Sequence, residues 1–120
     1  MAYAFFDGDD IGPTVEILLL EGRIIEAQAF SNSIKEALQE IEVYLRSFDW
    51  LNIIIIGGDD ILLEVNTQSI SQEFLEKIRQ IFKDKTGNSI SCGVGDNLTE
   101  AIFNLRLAKL YGKDAVRGWK

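Results

Sequence analysis

The chain has 120 residues, 47% of them hydrophobic, with a single proline and a net charge of −7. That length suits one domain with a real core, expected over residues 1–120, and the acidic balance argues against the basic surface that DNA binding requires. With no histidine and only Cys92, neither a transition-metal centre nor an intramolecular disulfide is expected. No apolar run reaches membrane-spanning length and Met1–Phe6 lacks a basic leader, so a cytoplasmic location away from membranes is expected.

Ala2–Phe6 is a continuous apolar run suited to a central strand buried on both faces, and it leads straight into Asp7-Gly8-Asp9-Asp10. Gly12-Pro13-Thr14 opens a helix, because proline is favoured in a first turn where its missing N–H costs nothing. That helix carries Val15, Ile17, Leu18 and Leu19 and is expected to stop at Gly22. From Arg23 to Ser47, Phe30, Ile34, Ala37, Leu38, Ile41, Tyr44 and Leu45 recur at helical spacing. Ser33 with Glu36 reads as a capping box, so a restart after a kink is expected there. Leu51–Ile56 and Ile61–Val65 are short runs of Ile, Leu and Val around Gly57-Gly58-Asp59-Asp60, and they predict a β-hairpin. Ser71 to Lys85 is amphipathic, with Phe74, Leu75, Ile78, Ile81 and Phe82 facing inward. Ser89–Gly95 predicts a strand of small residues, and Asn97-x-x-Glu100 caps a last helix running to about Tyr111. Lys113–Lys120 is a tail with no assigned element.

The order βααββαβα fits an α+β, ferredoxin-like pattern with an antiparallel or mixed sheet and helices on one face. In it the first strand pairs antiparallel with the strand leaving the hairpin, so Asp7 meets Asp59 and Asp60 at one sheet edge. Crowded carboxylates repel, and a histidine-free acidic site suits Mg²⁺ or Mn²⁺. Two such ions about 3.5–4 Å apart are the usual arrangement for in-line nucleotidyl transfer. Asp7, Asp59 and Asp60 are the expected ligands and catalytic residues, with the Gly8 carbonyl as a backbone ligand. Asp9 and Asp10 are weaker candidates, as loop acids beside the site. The stretch Gly8–Thr14, including Gly12 and Thr14, leads into a helix N-terminus whose free N–H groups favour phosphate. Lys109 and Lys113, spaced i, i+4, are either a phosphate clamp or a solvated pair. Gly93 and Gly95 are either plain strand glycines or points where a ligand nears the backbone. Cys92 is read as a small core hydrophobe.

FFDGDDIG resembles the metal-binding strand-loop of type III CRISPR polymerase palm domains. IIIIGGDDILLEV resembles their GGDD hairpin, the counterpart of the GGDEF signature of diguanylate cyclases. SISCGVGDNLTEA resembles the S-x-G-V segment of both families, and AIFNLRLAKLYGKDAV the closing helix of diguanylate cyclases with its A-K-x-x-G-[RK] pattern. Four motifs in order, on a chain that contains only the palm, are similar to the minimal CRISPR polymerase family of stand-alone cyclases associated with nucleotide-signalling antiviral defence.

The resemblance implies metal binding at Asp7, the Gly8 backbone, Asp59 and Asp60. It implies a nucleotide bordering Gly57 and Gly58, and triphosphate contacts from Lys109 and Lys113. Asp-Asp-Ile in place of Asp-Glu-Phe favours the CRISPR side, and by that analogy ATP over GTP. The expected activity is metal-dependent condensation of nucleoside triphosphates into a cyclic di- or oligonucleotide messenger with pyrophosphate release. Cyclisation implies a homodimer in which each chain supplies a half-site. The alternatives are a diguanylate cyclase using GTP and an inactive palm that only binds nucleotide. Base-reading residues, the linkage and the product's receptor are not legible in the sequence.

Overall fold

The structure, a computed structural model, describes residues 1–119; Lys120, the end of the unassigned tail, lies outside the described residues. The elements are β1 (Ala2–Gly8), α1 (Ile11–Leu20), α2 (Ile24–Leu45), β2 (Leu51–Gly57), β3 (Asp60–Val65), α3 (Gln72–Thr86), β4 (Ile90–Gly95), α4 (Leu98–Leu110) and β5 (Val116–Arg117). The sheet runs β2-β3-β1-β4-β5, with β1 antiparallel to both neighbours. This is the expected ferredoxin-like arrangement. The tail adds β5, parallel to β4, which makes the sheet mixed.

Alternation along the strands divides the side chains between two faces. Ala2, Ala4 and Phe6 of β1 join Ile90, Cys92 and Val94 of β4 in a core with α2 and α3. Every expected inward residue of α3 is buried, and its first turn is capped by Ser71, whose Oγ accepts from the Phe74 N–H at 3.1 Å. The intervening β4 residues face α4 instead. A Cβ on Gly93 would lie 2.2 Å from both the Ala101 carbonyl oxygen and the Leu105 nitrogen, and one on Gly95 2.5 Å from the Ala101 nitrogen. So α4 covers the opposite face of the sheet, and the expectation of helices on one face is corrected. Gly93 and Gly95 admit a helix backbone, and this accounts for both of them.

A second correction concerns α2, which runs unbroken through the expected restart. Ser33 bonds back to the Phe30 carbonyl at 2.6 Å, a local bond that a helix interior accommodates, and it caps nothing. Helix α1 is the unusual element: strongly apolar, yet with no buried residue. It packs against α2 as an arm whose end exposes Leu20 (79%) and Ile25 (81%).

Candidate metal and nucleotide site

Backbone pairing sets Asp7 opposite Asp60 across β1 and β3. Directly opposed residues of antiparallel strands share a face, so the two carboxylates emerge together. Between β2 and β3 only Gly58 and Asp59 make the turn, and Gly58 takes a φ of 58°, which glycine adopts without strain. The Gly8 N–H then donates to the Asp59 carbonyl at 3.1 Å, fastening the turn to the end of β1. One oxygen each from Asp7, Asp59 and Asp60 lies within 4.8 Å of the others.

Two of these half-buried acids, Asp59 and Asp60, resist their own ionisation. The Asp60 carboxyl is pushed up to about 7 by its hydrogen bond with Asp7, by burial, and by the charges of Asp7 and Asp59. Asp59 is raised by burial first and by Asp7 next. Three hard oxygen donors on fixed backbone, with two of them unfavourably charged, fit a divalent cation such as Mg²⁺ or Mn²⁺.

The lysines are placed differently from the helical pair that the spacing suggests. Helix α4 ends at Leu110, and Lys113 lies beyond it with a φ of 66°. Its ammonium reaches the exposed Asp10 carboxylate. Lys109 turns inward and donates to the Asp7 carbonyl at 2.9 Å, the Gly8 carbonyl at 2.8 Å and Asp9 Oδ1 at 2.7 Å. The Gly8 carbonyl, the expected backbone ligand, is therefore engaged by an ammonium.

Asp9 is the residue that sequence reasoning undervalued. It is 2% exposed and accepts from Ser89 Oγ at 2.6 Å, Ser91 Oγ at 2.8 Å, the Asp114 N–H at 3.0 Å and Lys109. Burial alone would push its carboxyl up; the hydrogen bonds from Lys109, Ser89, Ser91 and Asp114 outweigh that and hold it below the usual range. The signal available was Ser89-x-Ser91, two hydroxyls on one face of an otherwise small, apolar strand.

Thr14 is spoken for: its hydroxyl donates to the Asp10 carbonyl at 2.6 Å and accepts from Asn88 Nδ2 at 3.2 Å. Asp10 precedes α1 with no side-chain cap, so the first-turn N–H groups near Gly12 are not held by a capping side chain. Beside the carboxylates opens a groove of about 450 Å³, bounded by Gly57, Gly58 and Asp59 on the hairpin and Ser31, Lys35 and Gln39 on α2. A Cβ at Gly57 or Gly58 would meet nothing within 4 Å, so the groove's hairpin wall is open. The α2 wall escaped the sequence reading, although its polar residues recur every four positions beside the buried stripe.

A family model described as the minimal CRISPR polymerase domain, mCpol, matches residues 3–119. The chain belongs to the minimal CRISPR polymerase family. This mCpol chain is also similar in structure to the GGDEF domain of PA1120 (YfiN or TpbB) from Pseudomonas aeruginosa. The TM-score is 0.51 at 16% identity, over 97% of this chain and 80% of that one. An EAL/GGDEF domain protein from M. capsulatus is similar with a TM-score of 0.47 and 18% identity, over 97% of this chain and 82% of that one. A search of curated proteins gives no match. The mCpol domain thus has the fold of a polymerase- and cyclase-type palm, and its acidic cluster occupies the paired ends of the central strands. No helix among the described residues is long and apolar enough to cross a membrane.

Proposed function

We propose that this mCpol chain is a metal-dependent nucleotidyltransferase that joins nucleoside triphosphates, ATP in first place, into a cyclic dinucleotide for antiviral signalling. The observation that carries the reading is the carboxylate triad of Asp7, Asp59 and Asp60 at the mouth of an open groove, on a chain of a polymerase family. Those three residues would hold Mg²⁺ or Mn²⁺, which when bound lowers the pKa of an attacking hydroxyl and neutralises a triphosphate. Gly57 and Gly58 leave space for the nucleotide, and the α2 wall offers Ser31, Lys35 and Gln39 to its base. The uncapped first turn of α1 and Lys113 supply positive potential for the phosphates. A ribose hydroxyl oxygen bonds to the α-phosphorus of a second triphosphate, the bond to the β-phosphate oxygen breaks, and pyrophosphate leaves. The hydroxyl proton passes to solvent, and a second such transfer closes the ring.

Among the described residues there is one carboxylate triad, with a single groove described beside it, so ring closure calls for two copies. The α1–α2 arm supports this reading. Ile17, Leu19, Leu20, Ile24 and Ile25 are all more than half exposed. Together they form a contiguous apolar surface of the kind that marks an interaction site. Incubating the protein with Mg²⁺ and each triphosphate separately, with mass spectrometry of the products, tests the reading. A cyclic di-adenylate supports it, a cyclic di-guanylate moves it to GTP, and bound but unconverted nucleotide points to a sensor.

A further inference from the structure

An ammonium has three protons, and those of Lys109 are committed to the Asp7 carbonyl, the Gly8 carbonyl and Asp9 Oδ1. Its nitrogen also lies 3.1 Å from Asp7 Oδ2, one of the triad's carboxylates. In this arrangement Lys109 has no proton to offer a phosphate. It stands where a positive charge relieves the acidic cluster. Asp9 fixes it there, since its carboxylate is buried and anchored independently by Ser89, Ser91 and the Asp114 N–H.

We propose that Lys109 is the resident counter-cation of the metal-free site, occupying the Asp7 and Gly8 oxygens that a divalent ion requires, so that metal and triphosphate load together. This rests on the reading of Asp7, Asp59 and Asp60 as the cation site of a triphosphate enzyme. A metal arriving alone meets a positive charge already seated on its ligands, and its binding is weak. A triphosphate arriving with the metal offers oxygens to which the ammonium can transfer, keeping its hold on Asp9 while it releases Asp7 and Gly8. Lys109 thereby couples two ligands through one side chain whose partners differ between the two states.

Removing this positive residue from the site is expected to strengthen metal binding in the absence of nucleotide. Mn²⁺ binding is measured by electron paramagnetic resonance titration, without nucleotide and with a non-hydrolysable ATP analogue. Wild type is compared with Lys109→Met, with the charge-balanced pair Lys109→Met/Asp9→Asn, and with Asp59→Ala/Asp60→Ala. The pair leaves no unpaired buried carboxylate, so it decides the question should the single variant fail to fold. The expected result is Mn²⁺ binding about tenfold tighter or more without nucleotide, and a smaller gain on adding the analogue than wild type shows. Equal or weaker Mn²⁺ binding in the folded Lys109 variants, with binding lost in Asp59→Ala/Asp60→Ala, overturns the counter-cation role and leaves the metal site standing. Unchanged binding in Asp59→Ala/Asp60→Ala overturns the metal site and this inference with it.

Discussion

Asp7 and Asp60 are in register across the β1–β3 pair, so two carboxylates are held side by side by the backbone ladder of the sheet. Neither backbone position can shift without breaking the β1–β3 pairing at that end of the sheet. The fold therefore imposes a repulsion that a bound cation relieves, and the protein's response to pH and metal follows from it.

In the unfolded chain Asp60 titrates at about 3.9. In the folded chain its carboxyl is pushed up to about 7, by the hydrogen bond with Asp7, burial and the neighbouring charges. Between those values the folded state keeps a proton that the unfolded state has released, so stability falls as pH rises from about 4 to about 7. Metal-free protein is expected to melt at progressively lower temperature across that window. Asp60→Asn flattens the slope, and Mn²⁺ added at pH 8 together with a non-hydrolysable ATP analogue raises the melting temperature of wild type only. Calorimetric scans check this; a full slope in Asp60→Asn refutes it.

Asp9→Ala removes the buried partner of Lys109 and leaves two serine hydroxyls facing a void. Breaking a buried ion pair from one side costs about 3 kcal/mol, here taken at the low end because Lys109 is 22% exposed. Urea unfolding is expected to show that loss, and a cost below about 1 kcal/mol would contradict the anchoring role.

The glycines separate by what surrounds them. Gly93→Ala drives a Cβ to 2.2 Å from the α4 backbone, so the helix carrying Lys109 must shift. A loss of more than about 3 kcal/mol is expected. Gly12→Ala meets nothing within 4 Å in the first turn of α1 and is expected to stay within about 0.5 kcal/mol of wild type or to stabilise it. Denaturation midpoints of the two variants test the contrast.

Charging the arm tests the proposed pairing of copies. Leu20→Glu/Ile25→Glu is expected to sediment as a monomer and to lose product formation more than tenfold, with Mn²⁺ binding intact. A double variant that still forms dimers and product would place the partner elsewhere.

What was legible follows from which signals are local. The hairpin and the order of strands put Asp7 beside Asp59 and Asp60, because topology alone decides that contact. The α3 face and the Asn97 cap were also readable, since each is set within a few residues. Less readable was whatever depends on a distant surface. Gly93 and Gly95 looked like strand glycines or ligand contacts until α4 arrived on the far face. Lys109 read as half of a helical pair, but its partners come from a strand end about a hundred residues earlier in sequence. Ser33 mimicked a cap because a serine hydroxyl satisfies a carbonyl equally well inside a helix. The two-residue β5 is too short to leave a periodic signal.

The central claim is that Asp7, Asp59 and Asp60 form a catalytic cation site, and pyrophosphate release tests it most directly. Purified protein with ATP and Mg²⁺, at concentrations that permit dimers, is expected to release one pyrophosphate for each phosphodiester bond formed. The release stops with chelator and falls at least a hundredfold in Asp59→Ala/Asp60→Ala. Equal release from wild type and that variant, or none from wild type with any of the four triphosphates, would contradict the account.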